Sequence, residues 1–474
     1  MDDLSLAFTP ATELRRLIQQ RELSPSELVE STLRRIERVN PVINAYCTVA
    51  ADQARAAARD ADAAVIRGDD LGPLHGVPVG IKDLALTAGI RTTFGSRLFA
   101  DHVPDQDSLD VARVRQAGAI IVGKTNTPEF GAGPNTLNAL FGATRNPWNL
   151  ERSAGGSSGG SAAALAAGLS PLAQGSDLGG SLRIPASLCG VVGFRTSPGR
   201  VPYFPTGWTS DQFMVAGPMA RTVRDVALML SVMAGPDARV PISLDEPGSI
   251  FEHAADGEIG QLRIAWSADL GVGQVEVEVA RLVETACRRF EDAGCIVEPA
   301  APEIGDIRPM VATFRALGTA AGSPNLLEMA DRVDNPFLRE FLRRPGELSG
   351  MDVARACYAH GRYIERIAAF FSQYDLLVTT STPTAAYLVD QMFAPEVNGQ
   401  AVASAIDAMI VTYAITMAGL PCISVPAGFT QDGLPVGMQI VGGRHAEALV
   451  LRAAAAFEAM APWAHHRPSV ATAG

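Results

Sequence analysis

Apolar and polar positions alternate in two different textures along this chain. Over the first 66 residues the apolar positions recur at helical spacing. Ser24-Pro25-Ser26-Glu27 offers an N-cap, a proline at the first helical position and a capping-box glutamate. Leu28, Leu33 and Ile36 then form a stripe, and Asn40-Pro41 is predicted to end that helix. A second helix, rich in Ala and Asp, is predicted from about Ala51 to Ile66. From Leu71 onward short apolar runs are punctuated by Gly and Pro. VPVGIKDLAL, AIIVGKT, DLLVTTSTPT and CISVPAG read as buried strands of a sheet covered by helices. Asp432-Gly433, between ISVPAGF and LPVGMQIVG, signals a hairpin and therefore an antiparallel pair. Residues from about 236 to 370 carry fewer glycines and no motif, and are predicted to be a mostly helical insertion or cap. The class is α/β.

Composition narrows the partners. The chain has 474 residues, 47% hydrophobic and 19% charged, enough for a large buried core. A net charge of −12 leaves no broad basic footprint for nucleic acid or for anionic membrane surfaces. Six cysteines (47, 189, 287, 295, 357, 422) are scattered without metal-ligand spacing, which predicts reduced thiols and no metal site. The start, MDDLSLAFTPATELRR, lacks the basic and apolar regions of a signal peptide, and no run of about 18 apolar residues suggests a membrane span. A cytoplasmic protein is expected.

The stretch Ser153–Gly168, SAGGSSGGSAAALAAG, reads on composition as a flexible linker. Two other short patterns suggest chemistry. Gly118–Thr125 matches the phosphate-loop pattern GxxxxGK[ST], but its interior is apolar and mostly β-branched. Those residues are the strand, and Pro128 follows where a helix should open. Gly155–Gly159 contains GxSxG, the nucleophile elbow, yet NPWNLERSA before it is no clean strand and no later histidine has a distinctive setting.

A third pattern joins GPLHGVPVGIKD (Gly72–Asp83), GGSSGGSAAALAAG (Gly155–Gly168) and QGSDLGGSLRIPASLCG (Gln174–Gly190). Lys82 lies in an apolar strand-like run, with Asp83 on the opposite face. Burial disfavours the ammonium form, so a dry lysine can serve as a general base. Leu178-Gly179-Gly180-Ser181 places two glycines before a serine. Unobstructed backbone N–H groups can then turn toward one point, as an oxyanion hole beside a nucleophile requires. Pro185 suits the first turn of a following helix.

These residues resemble the amidase signature family, whose enzymes hydrolyse amides through a Ser–cis-Ser–Lys triad. The likeness runs from about Leu71 to Asp225, including KTNTPEFG, ATRNPWN and GPMARTVRD, and resumes at AGLPCISVPAG and LPVGMQIVG. Lys82 and Ser157 are 75 residues apart, and Ser157 and Ser181 are 24 apart, as the family pattern requires. The resemblance implies Ser181 as nucleophile, Ser157 on a cis peptide as proton relay and Lys82 as base. It implies that the N–H groups of Leu178, Gly179, Gly180 and Ser181 hold the oxyanion, with Asp177 and Arg183 orienting that loop. Gly131 and Ala132 would line the acyl pocket together with Ser157. The implied fold is a single α/β/α domain over 1–474, built around a mixed, largely parallel sheet. Its parts would be N-terminal helices to about 66, a core at about 71–230, the helical insertion at 236–370 and a C-terminal sheet with helices at 371–474. The expected substrate is a carboxamide, aryl amide or related acyl–nitrogen compound, hydrazides and esters included, with no cofactor and a homodimeric state. The alternative is the amidase-like component of a glutamyl-tRNA amidotransferase, which shares the triad and releases ammonia from glutamine.

Overall fold

The computed structural model describes residues 2–472. Eleven strands form the main sheet: β1 (Tyr46–Val49), β2 (Pro78–Lys82), β3 (Ile120–Thr125), β4 (Leu172–Asp177), β5 (Val192–Arg195), β6 (Val215–Ala220), β7 (Arg263–Trp266), β8 (Ile296–Pro299), β9 (Leu376–Thr380), β10 (Cys422–Phe429) and β11 (Pro435–Gly442). Their spatial order is β1-β3-β2-β4-β6-β5-β10-β11-β9-β7-β8. The sheet is mixed. Parallel neighbours occur in two blocks, β3-β2-β4 and β9-β7-β8, and the pairings between and outside these blocks are antiparallel.

Alternation along the strands divides the core between two faces. Ile121, Leu172, Val378 and Ile440 join one continuous cluster with the helices Val223–Met233, Val277–Asp292 and Glu447–Met460. Their neighbours Ile120, Val122 and Ala173 face a second cluster under the helices Pro25–Ile43, Ala51–Arg67 and Gly159–Ala166. Leu377 and Val441 face a third, under the helices Arg308–Gly322, Gly350–Phe371 and Ile410–Met417. Helices therefore cover both faces, the three-layer α/β/α arrangement.

Most predicted strands and the Asp432-Gly433 hairpin stand where the sequence put them, with β10 and β11 antiparallel. Three local expectations need correction. The Pro25–Ile43 helix, with its Ser24/Glu27 capping box, runs through Pro41. Proline there removes one N–H donor in the last turn, and the backbone N–H of Asn44, in the left-handed region, closes on the Asn40 carbonyl at 2.7 Å. The N-terminal part is not purely helical, because β1 joins the edge of the sheet. Residues 236–370 are not a plain helical cap either, since β7 and β8 extend the opposite edge. Edge strands are short and half-exposed, Ile296 at 55%, so their apolar signal is weak. No helix among the described residues is long and apolar enough to cross a membrane.

Candidate active site

Sheet topology brings the three predicted chemical groups to one edge. β2 and β4 are parallel neighbours, so their carboxyl ends lie side by side, the usual location of sites in α/β sheets. Lys82 ends β2, and Ser181 sits in the turn after β4. Ser157 precedes the wholly buried helix Gly159–Ala166, whose alanines allow it to pack directly on the sheet. The backbone N–H of Ser158 donates to the carbonyl of Ser181 at 3.2 Å, tying the two serine segments together.

Lys82 is fully buried. Its Nζ donates to Ser157 Oγ at 2.7 Å and to Ser176 Oγ at 3.1 Å, and its backbone N–H to Gln174 Oε1 at 3.2 Å. Burial brings its pKa down from 10.5 to about 7, while the more distant Asp177 carboxylate pulls the other way. A substantial neutral fraction near neutral pH follows, as a general base requires. The Gly156–Ser157 peptide is cis. A side chain at Gly156 would place its Cβ 2.9 Å from the Pro134–Asn135 backbone.

The Ser181 turn is built around Asp177. This buried carboxylate accepts from Arg183 at 2.9 and 3.0 Å and from Arg195 at 3.1 Å. It also accepts the backbone N–H of Gly180 at 2.9 Å and of Leu182 at 3.1 Å. Burial alone would raise its pKa, but the two guanidiniums hold it below the usual carboxylate range. Gly180 has a φ of +123°, and a Cβ there would meet Thr412 Oγ1 at 2.6 Å, so glycine is required on both counts. The expectation for Gly180 changes in one respect: its N–H is committed to Asp177. Leu178, Gly179 and Ser181 keep N–H groups without a partner among the described residues.

Ser157, Ser176, Leu178 and Ser181 open into a cavity of about 320 Å³. Gly131 and Ala132 line it as predicted, with Phe94 and Phe130, whose rings stack at 6.0 Å. Asp211 and Arg315 also reach it. Gln174, Ser176, Arg195, Asp211 and Arg315 escaped the sequence reading. Arg195, a lone cation in the apolar run VVGFR, carried the only readable signal. The phosphate-loop pattern is indeed strand: Ile120–Thr125 is β3, and Lys124 is buried, donating to the Ala85 carbonyl and, at 2.6 Å, to Thr87 Oγ1. The segment before Ser157, Asn149–Ser153, pairs only with Arg145–Asn146 outside the main sheet, which does not fit a nucleophile elbow.

The family model named Amidase matches residues 27–451. The chain belongs to the amidase family. Among its relatives in that family is an acylamidase of Rhodococcus erythropolis, 40% identical over 473 residues, covering 99% of both chains. The amidase-like component of the glutamyl-tRNA(Gln) amidotransferase of Moorella thermoacetica is 37% identical over 99% of this chain and 100% of its own length. A crystal structure of a bacterial aryl acylamidase of the amidase signature enzymes superposes with a TM-score of 0.92 at 31% identity, covering 98% of this chain and 99% of that one.

Proposed function

We propose that the chain hydrolyses acyl amides through Ser181, Ser157 and Lys82. Ser181 Oγ attacks the carbonyl carbon as its proton passes to Ser157 Oγ and the Ser157 proton passes to neutral Lys82 Nζ. The oxyanion accepts from the free N–H groups at Leu178, Gly179 and Ser181. Collapse breaks the carbon–nitrogen bond, and the proton returns along the relay to the departing amine. Water then attacks the acyl ester by the same relay, releasing the carboxylic acid and restoring Ser181. Asp177 and Arg183 hold the turn, and Gly131 and Ala132 bound the acyl side.

The observation that carries this reading is the 2.7 Å contact between a buried, pKa-depressed lysine and the serine beside the Ser181 turn. The test is a panel of aliphatic, aryl and peptide-like amides with wild type and Ser181→Ala. At least one class should be turned over by wild type, and the variant should lose about 10⁴-fold or more. A folded Ser181→Ala protein with near-wild-type rate would sink the assignment.

The identity to the amidotransferase component favours a second reading, glutamine hydrolysis on behalf of partner proteins. That alignment spans 496 positions, more than this chain's 474, so it is interrupted by insertions that the 473-position acylamidase alignment largely avoids. Glutamine as the preferred substrate, or a co-purifying second protein, would reverse the ranking. A cytoplasmic homodimer acting alone completes the first reading, and light scattering on the purified chain tests the dimer.

A further inference from the structure

The cavity beside Ser181 is apolar over much of its wall, with Leu84, Leu86, Phe94 and Phe130 contributing. Two charged side chains interrupt it among the described residues, Asp211 and Arg315. They are committed very differently. Asp211 Oδ1 accepts the backbone N–H of Phe213 at 2.8 Å and of Met214 at 3.4 Å, so this carboxylate caps its own turn. Arg315, on the Arg308–Gly322 helix, has no carboxylate partner among the described residues, and its Nε is buried without a hydrogen-bond acceptor. The ring of Phe341 lies against it, with the guanidinium carbon 4.8 Å from the ring centroid.

Stacking on a ring face leaves the in-plane N–H donors of a guanidinium unused. Those donors match the two oxygens of a carboxylate, and a partly buried cation without an acceptor gains most from such a partner. We propose that Arg315 is the recognition point for a carboxylate carried by the substrate away from the scissile amide. Asp211, charged oppositely within the same cavity, repels that carboxylate and so fixes which way the substrate lies. The aromatic wall formed by Phe94 and Phe130 favours an aryl group between carboxylate and amide. This inference rests on Ser181 being the nucleophile of an amide hydrolase.

Two matched substrate pairs test it: 4-acetamidobenzoate against 4-methylacetanilide, and 4-carbamoylbenzoate against 4-methylbenzamide. They place the carboxylate on the amine side and on the acyl side respectively. In at least one pair, Arg315→Met should lower the ratio of kcat/KM for the carboxylate substrate to that for its neutral partner by about 10- to 100-fold. Arg315→Lys should retain part of the preference, because it keeps the charge and loses the fork. An unchanged ratio in both pairs overturns the inference. Calorimetric binding of benzoate to wild type and Arg315→Met gives a readout independent of turnover. Affinity should fall about 10-fold or more, and equal affinity overturns the inference. Failure to hydrolyse any amide would count against the amidase assignment, and the benzoate comparison would still decide the role of Arg315.

Discussion

Lys82 owes its chemistry to its surroundings. Burial takes its pKa to about 7, so the amine is protonated below that pH and neutral above it. A base must be neutral to accept a proton, so kcat/KM should rise with pH through about 7 and fall on the acid side. A rate profile flat from pH 6 to 8 would contradict the assignment. Lys82→Ala should cost about 10²- to 10⁴-fold in kcat at neutral pH, measured on the same amide as wild type. Asp177 is the structural counterpart. Asp177→Asn leaves Arg183 and Arg195 buried without their shared carboxylate, and should cost about 3–5 kcal/mol in urea unfolding. Lys82, Ser157 and Ser181 could be picked out in the sequence because each breaks a local pattern, a charge in an apolar run or a serine after glycines. Gln174 and Ser176 could not, since their role depends on β4 lying beside β2, which no local pattern encodes. Asp177's claim on the Gly180 N–H was hidden for the same reason: a sequence shows which donors exist and not which acceptor reaches them first.

At the scale of elements, the parallel pair β2 and β4 and the turn after β4 define the site. The turn is pinned from outside by the Ile410–Met417 helix, where Thr412 Oγ1 donates to the Gly179 carbonyl at 2.6 Å and Arg183 donates to the Thr412 carbonyl at 3.0 Å. Gly180→Ala adds a Cβ in a left-handed conformation against Thr412, and should destabilise the protein by about 1–3 kcal/mol while lowering kcat. Paired measurement of urea midpoint and kcat separates this from a purely catalytic effect. Strands buried on both faces were readable as apolar runs, and helices with strong caps as periodic stripes. The edge strands β1, β7 and β8 were not, because four residues with one wet face carry too few apolar positions to outweigh their helical surroundings.

Over the whole molecule, buried arginines join distant segments. Arg35 donates to the carbonyls of Gly168 at 3.0 Å, Ala167 at 2.8 Å and Ala471 at 3.1 Å, linking an N-terminal helix, the loop before β4 and the C-terminal segment. Arg221 reaches Ser170 at 3.0 Å and Thr9 at 3.3 Å in the same region. Arg35→Met leaves those three carbonyls without their donor and should lower unfolding stability by about 2–4 kcal/mol, read from the denaturant midpoint. The triad and the wall opposite it have separate origins in this architecture. Lys82, Ser157 and Ser181 all come from the block between β2 and β5, whereas Arg315, Gly318, Thr319, Leu326 and Leu338 belong to residues 308–343. Part of that stretch has a small core of its own, in which Leu326, Val333, Leu338 and Leu342 pack on Ala132. Selection can therefore remodel the stretch while leaving the reacting atoms untouched. A lineage built this way can change diet without changing teeth, and chimeras exchanging 308–343 between relatives should inherit the donor's substrate preference on the recipient's triad.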